Sequence, residues 1–417
     1  MDKHLLIACL TALVLLIVYF AAVARRSTAQ CTTRVVGDAM IVVGMSGAIL
    51  CMGMALVGVS LTRAANTKRY KGGDSNALIE REYLSWKATR FLMRSICRPG
   101  SSKKCRLMLE GWITRYIDPD DLGKDIGVLL GPMQNIPALK TKLRKESPAL
   151  LGPVVEDINK LKSLVGKKSK DWELIGYTKE DRSITETDDA LSYGEYRLNA
   201  TDRIRELIAI GGAAAVLRMS LRYASILASS HHWAIPKGVF GALWELGVRN
   251  EAFASPFNSL ALGKPDSSYY TMFGDVDAPF GSKGDWLKAP LDSLIESPGG
   301  WEINPPFLYQ LLFDAAERAT ALAEAGRDVF YITRRVEGSD SPYAVLENAA
   351  KASIILYSNQ HAYEVHGPTG YQLRRPSFDS HLLYAGPLSK EDAMKALLQV
   401  KAAWPRAKKP YAPKPRS

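Results

Sequence analysis

The stretch GWEINPPFLYQLLFDAAERATALAEAGRDVFYIT, residues 300–333, has the pattern of a strand, a corner, a helix and a second strand. Trp301-Glu302-Ile303 is a short strand-like run, Leu308 to Ala325 has the length of a helix, and Asp328 to Thr333 is a second apolar strand candidate. Strands that alternate with helices form mostly parallel sheets covered by helices on both faces. From about Val239 onward, the chain is therefore predicted to be an α/β protein.

The corner Asn304-Pro305-Pro306-Phe307 is unusual because two consecutive prolines remove two backbone donors and fix two φ angles. Neither a helix interior nor a central strand tolerates that pair well. A second proline-containing corner, Ser255-Pro256-Phe257-Asn258, follows the strand-like run Glu251-Ala252-Phe253-Ala254. Ligands bind beyond the carboxyl ends of the strands in sheets of this class, which is where both corners fall.

The Asn304 corner offers an amide oxygen, a peptide carbonyl and a flat ring at one place. The exocyclic amine of adenine has two N–H donors beside a π face, so two acceptors and a stacking ring match it. Hydrogen bonds from N6 to Asn304 Oδ1 and to the Pro305 carbonyl would favour a less conjugated nitrogen and aim its lone pair at a methyl donor. Orientation of the reactants would supply much of the rate. The alternative interpretation of the same pattern is a plain turn.

Four segments in order resemble the methyltransferase core of the phosphorylated-CTD-interacting factor family. They are AIPKGVF at Ala234–Phe240, EAFASPFN at Glu251–Asn258, FGDVD with FGSKG between Phe273 and Gly284, and WEINPPF at Trp301–Phe307. The resemblance covers roughly Thr201 to Pro387. That family includes the cap-specific adenosine N6-methyltransferase, which uses S-adenosylmethionine on the first transcribed nucleotide of capped mRNA. The resemblance implies a Rossmann-like class I methyltransferase sheet.

The resemblance also implies roles for individual residues. The catalytic motif that holds the target adenine falls on Asn304, Pro305, Pro306 and Phe307. The S-adenosylmethionine pocket falls on Phe253, Ala254, Ser255, Pro256 and Asn258, and on a neighbouring loop with Asp277, Phe280, Gly281, Ser282 and Gly284. The glycines of that loop are expected to permit close approach of the backbone.

The chain departs from the family pattern in three respects. Tyr331 to Val336 stands where the family commonly has Pro-x-Trp, which indicates a remodelled pocket rim. Lys283 stands where an arginine is usual, so a bidentate fork for phosphate or carboxylate is lost. No WW module is expected before the core, so binding to phosphorylated polymerase tails is not carried over.

The formal net charge of +11 favours an anionic partner, either nucleic acid or an anionic membrane surface. Arg218 and Arg222 are four residues apart on a long helix predicted from Thr201 to Ser229, so their guanidinium groups share a face. They contact a phosphate or are two solvated arginines with buried stems. The other candidate nucleic-acid contacts are Lys283, Arg334 and Arg335. No Cys/His cluster has zinc spacing, so no metal is expected.

Two long apolar runs lie at the amino end. Leu5 to Ala24 and Met40 to Leu61 are each long enough to cross a hydrocarbon core as a helix, and they predict a transmembrane hairpin. A cleaved signal peptide is disfavoured because the first run is too long and is followed by Arg25 and Arg26. The denser basic cluster after Leu61 places the large carboxyl-terminal part on the cytosolic side of a multi-pass membrane protein.

These observations predict four regions in the chain. They are a transmembrane hairpin at 1–71, a helical and basic accessory region at 72–200, the Rossmann-like methyltransferase domain at 201–400, and a basic disordered tail at 401–417. Between 118 and 170, Gly-Pro pairs predict short broken helices, and a polar loop is predicted at 167–189. Late strands are predicted at His361–Val365 and His381–Tyr384, in the antiparallel edge of the sheet.

Three functions remain open on the sequence alone. The first is a membrane-anchored S-adenosylmethionine-dependent N6-adenine methyltransferase that acts on RNA, at the cap-proximal nucleotide. The second keeps the chemistry but moves it to DNA or to internal RNA adenines. The third is a membrane-tethered binding or structural protein whose methyltransferase-like fold has lost activity, an alternative that the altered Tyr331–Val336 segment motivates.

Overall fold

The computed structural model describes residues 68–70, 74–96, 103–118, 121–167, 169–178, 182–227, 233–336, 341–367 and 370–405. The chain divides into two compact units, Met1–Thr67 and Lys68–Ser417, and the described residues all belong to the second unit. Both predicted membrane spans, 5–24 and 40–61, lie outside the described residues. Among the described helices, none combines the length and the apolar character that crossing a bilayer requires.

The amino-terminal part of this unit consists of helices followed by a small antiparallel sheet. Its elements are β1 (Lys68–Tyr70), α1 (Asp74–Ile96), α2 (Lys103–Tyr116), α3 (Gly127–Gln134), α4 (Ile136–Glu146), α5 (Leu151–Leu164), β2 (Ile184–Glu186), β3 (Ala190–Tyr193) and β4 (Tyr196–Asn199). The sheet has the order β1-β2-β3-β4. The short helices expected between 118 and 170 are therefore confirmed, but the Gly-Pro pairs do not separate them, because Gly131-Pro132 lies inside α3 and Gly152-Pro153 lies in the first turn of α5. The polar loop expected at 167–189 is wrong in its last part, because β2 pairs with β3 through a tight turn in which Thr187 N–H donates to the Ala190 carbonyl.

Helix α6 (Asp202–Ser225) connects this part to the central sheet. Thr201 caps it, since the Thr201 hydroxyl accepts a hydrogen bond from Ile204 N–H. The backbone of Gly212, at φ 82° and ψ 161°, interrupts the helix, so α6 consists of two helical segments joined at a kink. The predicted helix began at the cap residue, but the observed helix ends at Ser225, and Ala228 and Ser229, the last residues of the prediction, lie outside the described residues.

The central sheet has six strands among the described residues, in the order β10-β13-β9-β8-β6-β7. Its elements and neighbours in chain order are β5 (Trp233–Ala234), α7 (Lys237–Glu245), β6 (Val248–Ala254), β7 (Ser268–Thr271), α8 (Gly274–Asp277), α9 (Leu291–Glu296), β8 (Gly300–Ile303), α10 (Tyr309–Glu324), β9 (Val329–Arg334), α11 (Ala344–Ala349), β10 (Ala352–Leu356), β11 (Tyr363–Gly367), β12 (Gly370–Arg374), β13 (Ser380–Ala385) and α12 (Lys390–Ala402). Strands β7, β6, β8 and β9 are parallel, and β13 runs antiparallel to both of its neighbours. The α/β prediction is confirmed, with a mixed rather than purely parallel sheet.

The two late strands have different places. The strand predicted at His381–Tyr384 is β13, inside the central sheet. The strand predicted at His361–Val365 is β11, which instead belongs to a separate sheet of order β12-β11-β5. The edge position beside β13 is taken by β10. Periodicity in the sequence identifies a run as a strand but does not show which strand it pairs with. The assignment of His361–Val365 to the central sheet was wrong for this reason.

Apolar side chains cover both faces of the central sheet. On one face Trp301, Ile303 and Tyr331 pack with the alanines of α10. On the other face Phe330 and Ile332 join a larger core that includes α6, α7 and α12. Alternate residues of a strand point to opposite faces, so β8 and β9 are buried on both sides. This double coverage leaves the strand ends as the places where the sheet meets a ligand.

The predicted disordered tail begins too early. Helix α12 extends to Ala402, and Trp404 is buried with its Nε1–H donated to the Ala362 carbonyl at 2.8 Å. A buried indole that finds a carbonyl partner anchors the chain at this point. Residues 406–417, which carry the remainder of the predicted tail, lie outside the described residues.

Candidate active site

The central sheet has a topological switch point at β6. The chain passes from β6 to β7 on one side and reaches β8 on the other side, so the carboxyl ends of β6 and β8 diverge into a crevice. A cavity of about 340 Å³ opens there. Its lining comprises Thr114, Arg115, Tyr223, Ile226, Trp233, Ala252, Phe253, Ala254, Ser255, Asn258, Thr271, Met272, Asp285, Trp286, Leu287, Asn304, Pro305, Pro306, Phe307, Leu308, Gln310, Leu311 and Asp314. The two proline-containing corners thus share one cavity.

The corner after β8 presents free acceptors to this cavity. The Pro306 carbonyl accepts a hydrogen bond from Leu308 N–H at 2.7 Å, just before α10 begins at Tyr309. In the part of the chain that the structure describes, no hydrogen bond uses the Asn304 side-chain amide or the Pro305 carbonyl. The two groups expected to hold an adenine amine are therefore available to a ligand.

The corner after β6 is closed by its own side chains. Asn258 Oδ1 accepts hydrogen bonds from Ser255 N–H at 2.7 Å and from the Ser255 hydroxyl at 2.9 Å. Both residues are buried in the protein and both line the cavity. This local turn holds the end of β6 in a fixed shape at the cavity. Pro256 is buried behind it, with its carbonyl accepting from Arg203 Nε, and does not line the cavity.

A buried carboxylate lies beneath the same corner. Glu251 accepts hydrogen bonds from the Ser259 hydroxyl and from the backbone N–H groups of Leu260 and Ala261. Burial raises the pKa of Glu251 despite these partners. On β8 the neighbouring Glu302 is also buried, and burial raises its pKa well above the ordinary value, with the charge of Glu251 adding to the effect. The two strands that carry the corners therefore place two buried carboxyl groups side by side, and the raised pKa values favour their uncharged, protonated forms.

The predicted loop residues Asp277, Phe280, Gly281, Ser282 and Gly284 do not line the cavity but support residues that do. The hydroxyls of Ser282 and Thr271 are 2.7 Å apart, and Thr271 N–H donates to the Gly284 carbonyl. Tyr223 donates its hydroxyl to Asp277 Oδ2 at 2.7 Å. Burial raises the pKa of Asp277 to about 7, and the charge of Asp275 adds to this effect.

The loop glycines are required for their backbone conformation. Gly281 and Gly284 have φ of 89° and 87°, which side-chain-bearing residues rarely adopt. A Cβ built on either glycine would meet nothing within 4 Å. Their positive φ is the conformational reason for both glycines, and close approach of a ligand to their backbone stays a prediction. Phe280 is buried and lies against Gly211 of α6 instead of the cavity.

The arginines predicted to contact phosphate on α6 have protein partners. Arg222 is 1% exposed and donates Nε to Glu82 and its NH groups to Glu82 and Asp275. Arg218 pairs with Asp275, at 2.9 Å from Nη2 to Oδ2. Their guanidinium groups do share a face, as predicted, but the anion between them is a pair of carboxylates. The phosphate role of Arg222 is wrong because its side chain is buried, and Arg218 is already engaged.

The remaining predicted nucleic-acid contacts lie at the surface. Lys283 and Arg334 are exposed, and Arg335 is half-buried with its backbone N–H donated to the Asp379 carbonyl. None of these residues lines the cavity. The segment Tyr331–Val336, expected to remodel the rim, also contributes no residue to the lining. Its first three residues are buried strand. Tyr331 is fully buried and donates its hydroxyl to the Leu312 carbonyl.

Several lining residues were not found from the sequence. Thr114 and Arg115 come from the end of α2, far in sequence from the corner after β8, and Trp233 comes from β5. Asp285 and Asp314 add carboxylates to the lining. No local pattern marks these positions, since only tertiary folding brings them to the cavity. The helical part of the chain therefore forms a wall of the site.

Comparison with known proteins supports a resemblance over the central region. No curated protein matches the chain. A family model matches residues 210–364, a range that begins within α6, ends within β11 and includes both proline-containing corners. Its description names a WW domain, which is at odds with the expectation that such a module is absent. Over residues 210–364, the chain is thus similar to the family described as the phosphorylated CTD interacting factor 1 WW domain.

Proposed function

We propose that the protein is an S-adenosylmethionine-dependent N6-adenine methyltransferase that acts on RNA, with the cap-proximal adenosine of mRNA as its target. The observation that carries this proposal is one cavity lined both by Asn304–Phe307 and by Phe253, Ala254, Ser255 and Asn258. Parallel strands with an antiparallel strand, β13, inserted beyond β9 are consistent with a Rossmann-like class I methyltransferase sheet. The family match over residues 210–364 supports the same assignment.

The donor side of the cavity suits S-adenosylmethionine. A volume of about 340 Å³ is in the range of small-molecule sites, which are mostly apolar with a few fixed polar groups. Phe253 and Trp286 supply aromatic surface, with ring centroids 5.4 Å apart, and Ser255, Asn258 and Thr271 supply polar groups. The bound cofactor carries a positively charged sulfonium and would supply the methyl group. The carboxylates of Asp285 and Asp314 suit such a cationic ligand.

The acceptor side suits an adenine amine. Asn304 Oδ1 and the Pro305 carbonyl are the two acceptors that would take the N6 hydrogens, and Phe307 would stack on the base. These contacts weaken the conjugation of the N6 lone pair with the adenine ring. They also direct that lone pair across the cavity, towards the methyl group. After transfer, N6 carries a positive charge and one of its hydrogens is acidic, so it leaves to solvent without a strong base. Positioning is thus the main contribution of this corner.

The proposal is tested by methyl transfer from labelled S-adenosylmethionine to capped RNA that begins with adenosine. We expect Asn304→Ala to lower kcat by about 100- to 1000-fold, the usual cost of removing one preorganised hydrogen-bonding group, while cofactor affinity measured by calorimetry stays unchanged. Asn359→Ala, at an exposed asparagine that does not line the cavity, is the control. Equal transfer by native protein and Asn304→Ala would remove Asn304 from the reaction.

The substrate class is tested separately. Capped adenosine-start RNA, the same RNA without a cap, RNA with only internal adenines, and single-stranded DNA compete in one reaction. We expect the capped RNA to have the largest kcat/KM. A preference for DNA or for internal adenines would leave the proposed N6 methylation in place and change only the substrate. Failure of the native chain to bind S-adenosylmethionine would contradict an enzymatic function.

A further inference from the structure

An aromatic cluster extends from the catalytic corner along one wall of the cavity. Phe307 packs edge-on against Phe378, with ring centroids 5.0 Å apart at 79°. Phe378 in turn stacks on Trp233, at 6.1 Å and 26°. Phe307 and Trp233 both line the cavity, and all three rings are half-buried. The chain therefore presents further ring surface next to the place proposed for the target adenine.

Trp233 is held in position by the small sheet. Its strand β5 pairs with β11, with Trp233 opposite Val365. The next residue, Ala234, is opposite Glu364, whose carboxylate accepts a hydrogen bond from Lys237 N–H at 2.8 Å. The Trp233 ring also contacts the ring of Tyr363 at 5.8 Å. A preorganised ring loses little conformational entropy when a ligand stacks on it.

A positive charge lies at the outer end of this cluster. The guanidinium of Arg334 is 5.8 Å from the centroid of the Phe378 ring, and the side chain is exposed. Arg334 is at the end of β9, opposite Ser380 of β13, and so lies at the same edge of the sheet as the catalytic corner. Aromatic rings beside an arginine are the combination by which proteins hold single-stranded nucleic acid, since rings stack bases and the cation meets the phosphate.

We propose that Trp233, supported by Phe378, stacks the nucleobase next to the methylated adenine, and that Arg334 contacts the backbone phosphate of that neighbour. This inference rests on the proposed function and names the part of the substrate that it requires, which is single-stranded RNA at least two nucleotides long. The cofactor suits this position less well than a base does. The Trp233 ring contacts Phe378, which contacts Phe307 of the acceptor corner, whereas among the described residues no ring contact of Trp233 leads to the corner after β6.

The test is equilibrium binding of short single-stranded RNA by the full-length chain. The probe is an oligonucleotide with one adenosine and 2-aminopurine as its neighbour, since stacking quenches 2-aminopurine fluorescence. We expect Trp233→Leu to abolish the quenching and to weaken binding by about 5- to 150-fold, the range for loss of one base–aromatic stack. Trp233→Phe retains a ring and should therefore keep most of the quenching and most of the affinity for RNA. Arg334→Gln should weaken binding and reduce its dependence on salt.

Trp244 offers a matched control. It is also half-buried and lies against cations, 4.0 Å from Arg249 and 4.7 Å from Lys264, but it does not line the cavity. Trp244→Leu should leave quenching and affinity unchanged. Unchanged quenching in Trp233→Leu, or an equal loss in Trp244→Leu, would overturn the proposal. A native chain that quenches the probe but transfers no methyl group would refute the proposed function and leave the stacking site supported.

Discussion

At the scale of single residues, Asp277 has the least favourable environment of the loop beside the cavity. It is fully buried, and its Oδ2 accepts a hydrogen bond from the Tyr223 hydroxyl. Its Oδ1 has no hydrogen-bond partner among the described residues. Burial raises the pKa of this carboxyl more than the hydrogen bond from Tyr223 and the charge of Arg222 lower it, and the charge of Asp275 raises it further. The carboxyl therefore takes up a proton near neutral pH, and this proton affects folding.

We expect the stability of the protein to fall between pH 4 and 7 because of Asp277. In the unfolded chain this carboxyl loses its proton near its ordinary pKa of 3.8, whereas in the folded protein it holds the proton until about pH 7. The folded state then binds more protons, so the free energy of unfolding decreases as pH rises, by up to about 4 kcal/mol. Asp277→Asn stays neutral and should reduce this pH dependence. Urea unfolding at pH 5 and pH 8 measures it.

The exposed aspartate Asp292, on α9, provides the comparison for this experiment. Asp292→Asn should keep the pH dependence of the native protein. If Asp277→Asn and the native protein lost the same stability between the two pH values, the proton would not reside on Asp277. The buried Glu251 and Glu302 have raised pKa values too, so part of the native pH dependence should persist in every variant.

The location of a residue at the cavity could be predicted from the sequence where neighbouring residues form one motif. Asn304 and Ser255 lie on the cavity because each corner directly follows its strand, and that relation is visible in the sequence. Arg222 could not be interpreted correctly, because its partner Glu82 is 140 positions away and only the packing of α1 on α6 brings the two together. The sequence around a basic residue on a helix does not show whether its charge is paired with a bound anion or with a carboxylate that is distant in the chain.

At the scale of elements, the kink in α6 packs closely against Phe280 and the loop that contains it. A Cβ on Gly211 would lie 2.6 Å from Phe280 Cε1, and Gly212 next to it has a φ of 82°. We expect Gly211→Ala to destabilise the protein by about 1–3 kcal/mol, as overpacking does, and to shift the Phe280–Gly284 loop that supports Thr271. Denaturant unfolding measures the first effect, and S-adenosylmethionine affinity measures the second.

Gly241, inside α7, is the control for this substitution. It has no positive φ, and a Cβ there would meet nothing within 4 Å. Gly241→Ala should raise stability by up to about 1 kcal/mol through helix propensity. A Gly211→Ala protein with unchanged stability and cofactor affinity would show that α6 and the loop adjust independently.

The contact between α1 and α6 depends on a buried ion pair. Glu82 is 3% exposed and Arg222 is 1% exposed, so neither charge has water as an alternative partner. We expect Glu82→Gln to destabilise the protein by about 3–5 kcal/mol, because it leaves a buried guanidinium with an incomplete counter-charge. Replacing both residues by apolar side chains of similar volume should recover much of the loss. Denaturant midpoints of the single and double variants form the test.

An exposed ion pair on α12 serves as the control for the buried pair of Glu82 and Arg222. Glu391 and Lys395 are 80% and 65% exposed at their side chains. Glu391→Gln should leave the denaturant midpoint unchanged, since water screens both charges. A double variant that is no more stable than Glu82→Gln would argue that packing, and not the lost counter-charge, causes the destabilisation.

The elements that the sequence predicted best are those with a long or repeated pattern. The run from Gly300 to Thr333 gave one complete unit, β8, α10 and β9, because each element is bounded by its own breaker residues. The short strands β2, β3 and β4 were missed in a segment that is rich in charged and polar residues, since three or four residues are too few to show a period. Their stability comes from pairing with one another and not from local pattern.

At the scale of the whole molecule, the accessory helices and the sheet domain act as parts of one compact unit. The boundary predicted at residue 200 divides the sequence, but α1 packs along α6, and Thr89 donates its hydroxyl to the Ser225 carbonyl. Arg115 and Thr114 complete the cavity from the same side. Composition indicated a helical region correctly, whereas its part in the active site depends on contacts between distant residues.

The remaining whole-molecule prediction concerns the apolar runs at 5–24 and 40–61, which predict a membrane hairpin. We expect the full-length chain to sediment with membranes and to resist extraction at high pH. Leu15→Arg with Leu50→Arg places a charge near the centre of each run, at about 2.5–3.5 kcal/mol per residue, and should release the chain. Leu398→Arg, on the exposed face of α12, should not. Protease added to sealed vesicles should digest the catalytic unit only from the cytosolic side. Full extraction of the native chain at high pH would contradict the hairpin while leaving the cavity and its chemistry unaffected, because the described unit contains every residue that lines it.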